Sequence, residues 1–345
     1  METFQTSVEA YQKRINEELD SFLESKRPAA LYGMMRYFLG FTDLELQKLA
    51  APVGKRLRSV LCLLLGEAYG AKSNVLPLAL SLELFHNFTL IHDDIVDRDE
   101  MRRGRPTVWK VWGEHHALNA GDAQFLLAIE QMNVFVQSHP EIGWRVEEIL
   151  RPRYGEVIEG QYLDFRLAEL SLTDPQVNEE FFFTMTDKKS SVLVGVAAQS
   201  GGIAGGAPAA DEKMLWEYGF LLGRMLQLQN DFVSIWESRS DTGKSRYGDI
   251  REKKKTLPII HTYRRLSPRE AGRMKELYDL PAPLSEAAVF EIAEFLEKAD
   301  ARGYLLRELE KNAQESLQAL ESLSVSDSVK TMLRALNDSI TANVL

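Results

Sequence analysis

Three carboxylates close one apolar run. In the segment 79–99, Ala-Leu-Ser-Leu-Glu-Leu-Phe-His-Asn-Phe-Thr-Leu-Ile-His-Asp-Asp-Ile-Val-Asp-Arg-Asp, apolar residues at helical spacing lead straight into Asp93, Asp94 and Asp97. Asp93 and Asp97 are four apart and share a helix face, while Asp94 is turned from them by about 100°. Like charges so placed repel and weaken a helix. Hard oxygen donors of this kind suit Mg²⁺, which keeps part of its water and bridges substrate phosphates. A solvated helix end would show the same residues. The neighbouring cations separate the two readings. Arg102-Arg103-Gly104-Arg105-Pro106-Thr107 follows at once, and Gly54-Lys55-Arg56-Leu57-Arg58 lies upstream. Cations beside a carboxylate cluster suit a multiply charged anion held between them.

A second polar stripe lies in the segment 219–237, Gly-Phe-Leu-Leu-Gly-Arg-Met-Leu-Gln-Leu-Gln-Asn-Asp-Phe-Val-Ser-Ile-Trp-Glu. Asn230, Ser234 and Glu237 fall at i, i+4 and i+7, on one helix face. All three offer oxygen ligands to a divalent cation opposite the first cluster, although polar helix faces often contain such sets.

The elements that must position these groups read as helices. Val8, Tyr11, Ile15, Leu19 and Phe22 step by three or four, and the spacing recurs at Leu80, Leu84, Asn87/Phe88 and Ile91, and at Phe290, Ala293 and Phe295/Leu296. No sustained period-2 alternation appears. Breakers fall at Pro52-Val53-Gly54, Gly104-Arg105-Pro106, Thr173-Asp174-Pro175, Gly201-Gly202, Gly205-Gly206-Ala207-Pro208, Asp241 to Gly248, and Leu280-Pro281-Ala282-Pro283. No linker or fixed repeat divides the chain, so residues 1–345 read as a single all-α domain.

Composition narrows the function classes. The 345 residues are 45% hydrophobic and 27% charged, which excludes disorder. A net charge of -10 argues against sequence-independent nucleic-acid binding, and the basic run Lys253-Lys254-Lys255 has no nucleic-acid motif beside it. The single cysteine, Cys62, sits in an apolar run and allows neither an intrachain disulfide nor a cysteine-based zinc site. Neither a secretory signal nor a membrane span is expected, which points to the cytoplasm.

Taken together, His92-Asp93-Asp94-Ile95-Val96-Asp97, Arg102 to Thr107, Gly54 to Arg58, Gly160-Gln161-Tyr162-Leu163-Asp164, Gln227-Leu228-Gln229-Asn230-Asp231 and Asp249 through Pro258 resemble the motifs of trans-isoprenyl diphosphate synthases. They occur in family order over roughly residues 50–260. The resemblance implies a helical bundle around a deep central cavity, usually a homodimer, with Mg²⁺, three ions, holding an allylic prenyl diphosphate. It makes Asp93 and Asp97 metal ligands with Asp94 in support, and sets Arg102, Lys189, Gln227 and Lys254 on the allylic side. Lys55, Arg58, His86 and Arg103 match the residues that bind isopentenyl diphosphate, the second substrate. Metal ions and cations aimed at departing diphosphate lower the ionisation barrier, and an apolar cavity keeps the carbocation from water.

One motif departs from the family. Chain-elongating members usually carry a second Asp-Asp-x-x-Asp or Asp-Asp-x-x-Gly, whereas Asn230-Asp231-x-x-Ser234-x-x-Glu237 resembles the metal triad of class I terpene cyclases. Two readings therefore compete. The triad favours a terpene cyclase acting on one prenyl diphosphate, and that is the reading expected here. The retained Lys55, Arg58, His86 and Arg103 favour the alternative, a chain-elongating prenyltransferase. A regulatory subunit is a third reading, which the intact Asp93, Asp94 and Asp97 argue against. Phe88, five residues before Asp93, suggests a C15 to C20 chain by bulk in the product cavity, although an ordinary core role fits it too. His86 could equally be a hydrogen-bonded core residue. Of Phe181, Phe182 and Phe183, at most two could face one cavity, and packing is their default assignment.

Overall fold

The computed structural model describes residues 2–49, 54–70, 74–237, 246–342 and 344. The chain begins with helices α1 (Glu2–Glu24), α2 (Ala29–Leu39), α3 (Leu57–Ala68) and α4 (Leu76–Val96). A hairpin of two-residue strands, β1 (Met101–Arg102) and β2 (Arg105–Pro106), leads to α5 (Val108–Trp112), α6 (Glu114–Ser138) and α7 (Pro140–Glu169). Helix α8 (Glu179–Thr186) passes through a π-helical turn, Asp187–Ser191, into α9 (Val192–Gly205) and then α10 (Ala209–Trp236). The remainder is α11 (Gly248–Arg251), α12 (Leu257–Tyr263), α13 (Pro268–Asp279), α14 (Glu286–Lys298), α15 (Ala301–Glu321) and α16 (Asp327–Thr341). The all-α expectation holds. The breakers Pro52-Val53 and most of the segment from Asp241 lie outside the described residues.

Two apolar clusters make the core, and α3 and α9 serve both. Cys62, Leu63, Val196 and Ala197 pack with Leu19, Phe85 and Phe135, whereas Leu61, Leu65, Val194 and Ala198 pack with Leu222, Ile260 and Leu305. Every residue of α9 except Gln199 is buried, as expected of a helix apolar all round. Glycines allow α9 to lie directly on α3: a Cβ at Gly201 would overlap the Cys62 carbonyl, and one at Gly205 the Gly66 carbonyl. Gly201-Gly202, expected from sequence as a break, therefore lies inside a helix. Only Gly206, with φ 95°, ends it.

Among the described residues the hairpin is the one sheet, beside an isolated bridge, Thr42 to Lys48. Arg103 and Gly104 form its turn with φ of 53° and 74°, the left-handed pair that a two-residue type I′ connection needs. Arg105 fastens it to α2: its guanidinium donates to the carbonyls of Tyr37 at 3.1 Å and Thr42 at 2.7 Å. In return the Tyr37 hydroxyl donates to the Pro106 carbonyl at 2.8 Å. At the far end of the chain, α14 buries Val289, Ile292 and Leu296, which leaves Phe290 outside the expected apolar stripe.

Replacing Gly205 by valine forces α3 and α9 apart. The expected cost is about 2–3 kcal/mol of stability, read as a lower urea midpoint. An unchanged midpoint would mean that the two backbones do not meet there.

Candidate active site

Helix α4 carries charge at two levels. Glu83 and His86 lie at its middle, and Asp93, Asp94 and Asp97 lie at its C-terminal end, Asp97 being the first residue past the helix. Rising about 1.5 Å per residue, the helix separates His86 from Asp93 by roughly 10 Å.

The middle level is cationic. Arg56 caps α3 with φ 51° and is buried. Its guanidinium pairs with Glu83 at 2.9 Å and donates to the Leu39 carbonyl at 3.0 Å. Asn87 donates to the same Glu83 carboxylate at 2.7 Å. Burial pushes the Glu83 carboxyl up, but Arg56 and Asn87 outweigh it and hold its pKa below the ordinary value. Around this neutralised pair stand cations with no such partner. Burial lowers Arg58 and Arg103 to about 10 each. Arg58 Nε and Arg103 Nη1 are buried without a hydrogen-bond acceptor among the described residues. The Arg103 guanidinium lies so close to the Gly54 backbone that a Cβ there would sit 2.8 Å from Nη2. His86 is held neutral by burial and then by Arg58, Arg103, Arg102 and Arg56. Arg58, His86 and Arg103, distant in sequence, thus share one positive field. Lys55 is exposed beside them, its carbonyl held by Gln12 at 2.8 Å.

The end level is acidic and braced by lysines. Asp93 accepts from Gln161 at 2.9 Å and faces the Lys189 ammonium at 3.3 Å. Lys189 also pairs with Asp164 at 2.5 Å. Burial disfavours this ammonium, but Asp93, Asp164 and Asp97 prevail and hold its pKa above the ordinary value. Lys254 stands 4.0 Å from Asp97. Arg102 grips one oxygen of Asp94 at 2.6 Å, and the other, Oδ2, is buried with no partner among the described residues. Burial raises the Asp94 carboxyl to about 6 against the pull of Arg102, and burial raises Asp97 too. Carboxylates left short of compensating charge, one with an unfilled buried oxygen, fit a hard divalent cation. Among the described residues no three His, Cys, Asp or Glu side chains form a ready-made metal cage. An ion that retains water and takes phosphate oxygens does not require one.

Lys189 owes its place to the π-turn. The turn nests between α7 and α10, where a Cβ at Gly160 would overlap the Lys189 nitrogen and one at Gly223 would overlap Ser191. Ser190 donates to Gln227 at 3.2 Å, and Gln227 donates to Asp231 at 2.9 Å. On α10 the second stripe divides. Asn230 is exposed, and Ser234 is buried, its hydroxyl accepting the Asp249 N–H at 3.1 Å. The helix stops at Trp236, so Glu237, with φ -114° and ψ 157°, lies past its end.

Phe88 packs in an aromatic group, 5.0 Å from Phe85, 5.4 Å from His92 and 5.2 Å from Phe125. Phe182 is a core residue. Sequence reasoning gave Glu83 no role and named Gln161, Asp164 and Arg105 only within longer motifs. Glu83 does leave a signal, a lone charge in the run Leu80-Ser81-Leu82-Glu83-Leu84-Phe85.

The sequence profile of the polyprenyl synthetase family matches residues 43–296. A geranylgeranyl diphosphate synthase of Methanosarcina mazei is 37% identical over 250 residues, 72% of either chain. A (2E,6E)-farnesyl diphosphate synthase of Mycobacterium tuberculosis is 33% identical over 85% of this chain and 81% of its own. Among solved structures, a polyprenyl synthetase from Streptomyces coelicolor superposes with a TM-score of 0.86, at 28% identity, covering 97% of this chain and 99% of its own.

These relatives overturn the terpene cyclase expectation. Those with a named product are diphosphate synthases, not diphosphate lyases. That expectation gave the triad more weight than the cations. Arg58 and Arg103, which a cyclase does not need for a second substrate, are near enough to His86 that their charge helps hold its pKa down.

Glu83→Gln leaves the buried Arg56 charge unpaired and costs about 3–5 kcal/mol of stability at pH 7 in urea unfolding. Because folding depresses the Glu83 pKa, its contribution is present above the ordinary value of 4.5 and is lost as pH falls through the lower folded value. The variant therefore lacks that part of the wild type's acid destabilisation. Equal stabilities at pH 7 would contradict the pairing.

Proposed function

The chain belongs to the polyprenyl synthetase family, and from that premise we propose that it is a chain-elongating prenyltransferase, condensing isopentenyl diphosphate with an allylic diphosphate. The observation that carries this reading is the cluster of cations at the middle of α4, where Arg58 and Arg103 keep buried N–H groups with no acceptor among the described residues. A diphosphate supplies those acceptors, and a neutral His86 adds a hydrogen bond without adding charge. Lys55 joins them from the exposed side.

The allylic diphosphate belongs at the acidic level. Asp93, Asp94 and Asp97 would hold Mg²⁺ on one side, with Asn230, Ser234 and Glu237 as the proposed donors on the other, for three ions in all. Bound there, Mg²⁺ would supply positive charge to the departing diphosphate. Arg102, Lys189 and Lys254 hold the same oxygens, while Gln227 and Ser190 orient the neighbouring polar edge. The allylic C–O bond breaks, the isopentenyl double bond attacks the cation, and the new chain loses a proton to the released diphosphate. Phe88 limits the chain to C15–C20 in this reading.

The protein works as a homodimer. Support comes from apolar side chains exposed along α6 and α7: Leu126 at 66%, Tyr162 at 65% and Trp144 at 61%, with Leu118 and Ile158. Residues 1–345 act as one domain. Among the described residues no helix is long and apolar enough to cross a membrane.

With Mg²⁺, geranyl diphosphate and isopentenyl diphosphate, the wild type yields longer diphosphates, detected by mass spectrometry. With farnesyl diphosphate alone it yields no cyclic hydrocarbon. Asp93→Ala abolishes turnover, Arg58→Ala raises KM for isopentenyl diphosphate by about 10-fold or more, and Phe88→Ala shifts products beyond C20. Failure to elongate would defeat the reading. In sedimentation velocity the wild type runs as a dimer and Leu126→Glu shifts toward monomer; a monomeric wild type would exclude the assembly.

A further inference from the structure

The turn Asp187–Ser191 is wound one residue wider than an α-helix. The Val192 N–H returns to the Asp187 carbonyl, five residues back, and so closes it. Such turns are rare and are found mostly at functional sites. The extra residue sets the direction of Lys189: in α register each side chain after it would swing by about 100°. Something must hold the wider register. Gly160 and Gly223 make room for it, but room alone does not choose it.

Arg224 supplies a specific hold. From α10 its guanidinium meets the Asp187 carboxylate with two parallel bonds, Nε to Oδ1 at 2.8 Å and Nη2 to Oδ2 at 2.7 Å. The rings of Phe183 and Phe220 lie beside it, their centroids 5.3 and 5.4 Å away. Its third nitrogen, Nη1, donates to Asn312 on α15 at 3.4 Å. The pair is only 23% exposed at either side chain. Forked contacts of this kind fix geometry in a way that a lysine cannot. Asp187 is also the residue whose carbonyl closes the turn, so the fork clamps the turn at its first residue. The clamp is separate from the charge balance of Lys189, whose carboxylate partners are Asp93 and Asp164.

We propose that the Arg224–Asp187 pair is a positioning element for the reaction, locking the turn in its five-residue register so that Lys189 reaches Asp93 and the allylic diphosphate beside it. This rests on the prenyltransferase reading for what Lys189 acts upon. Neither residue touches substrate; both act through the backbone that carries Lys189.

The test compares wild type, Arg224→Met, Arg224→Lys and Asp187→Asn, each also combined with Lys189→Ala. Initial rates are measured with geranyl and isopentenyl diphosphates and Mg²⁺. Amide hydrogen exchange is followed over residues 187–192. Each single change is expected to lower kcat about 10- to 100-fold, the usual cost of a small misplacement. KM for isopentenyl diphosphate should stay as in the wild type, because its pocket lies on α3, α4 and the hairpin. In the Lys189→Ala background the same changes should cost nothing further, since residues acting as one unit are not additive. Exchange across the turn should quicken in Arg224→Met, and Arg224→Lys should not rescue either readout. Should Arg224→Met fail to fold, the near-isosteric Asp187→Asn carries the same expectations. A wild-type kcat in folded Asp187→Asn, or a loss equally large with and without Lys189, would overturn the proposal. A wild type that exchanges normally but does not elongate would defeat only the prenyltransferase reading, and the exchange comparison would still decide whether the pair holds the turn.

Discussion

Opposite charges that are meant for ligands must be kept from neutralising one another. Arg102 already grips one oxygen of Asp94, and a looser scaffold would let Arg58 and Arg103 reach the Asp93–Asp97 cluster as well. Helix α4 prevents this by length and stiffness, placing His86 two turns from Asp93. The rest of the bundle serves the same separation. Arg56 and Glu83 satisfy each other and so fill the middle level with a neutral, rigid pair. The Arg105–Tyr37 exchange pins the hairpin that carries Arg102 and Arg103.

A helical interior is well suited to this task. Its backbone groups are satisfied within each helix, so side-chain cations can remain short of acceptors without the surrounding structure rearranging to supply them. The energetic cost of the unpaired Arg58 and Arg103 nitrogens is met by extensive apolar packing around α3 and α9, where glycines let two backbones approach. Stability and the availability of the site are thereby assigned to different residues on the same elements: Cys62 and Leu65 pack, whereas Arg58, one turn earlier, is held ready.

Legibility in the sequence followed the range of the interaction. The Asp93–Asp97 cluster, the Arg102–Thr107 segment and the helical stripes are local patterns, and the family resemblance with its all-α fold could be read from them. Where contacts decide, the sequence was silent or misleading. Gly201-Gly202 looks like a break until α3 is placed against it. Asn230, Ser234 and Glu237 read as one helical face, whereas α10 ends at Trp236 and Glu237 follows it in extended backbone. The cyclase expectation gave too little weight to Lys55, Arg58, His86 and Arg103, which are scattered in the chain. The π-turn leaves no periodic signal at all, because the residues packed against it, Gly160, Gly223 and Arg224, lie on two other helices.

The central claim is that the two levels of α4 bind diphosphates by different means, one with fixed cations and the other with carboxylates and metal. Calorimetric titration of the wild type with isopentenyl diphosphate, in the presence of a chelator and then of Mg²⁺, tests it most directly. Binding should be present without metal and little changed by its addition, and Arg58→Ala should remove it. Binding that appears only with Mg²⁺, or that survives in Arg58→Ala at full strength, would contradict the account.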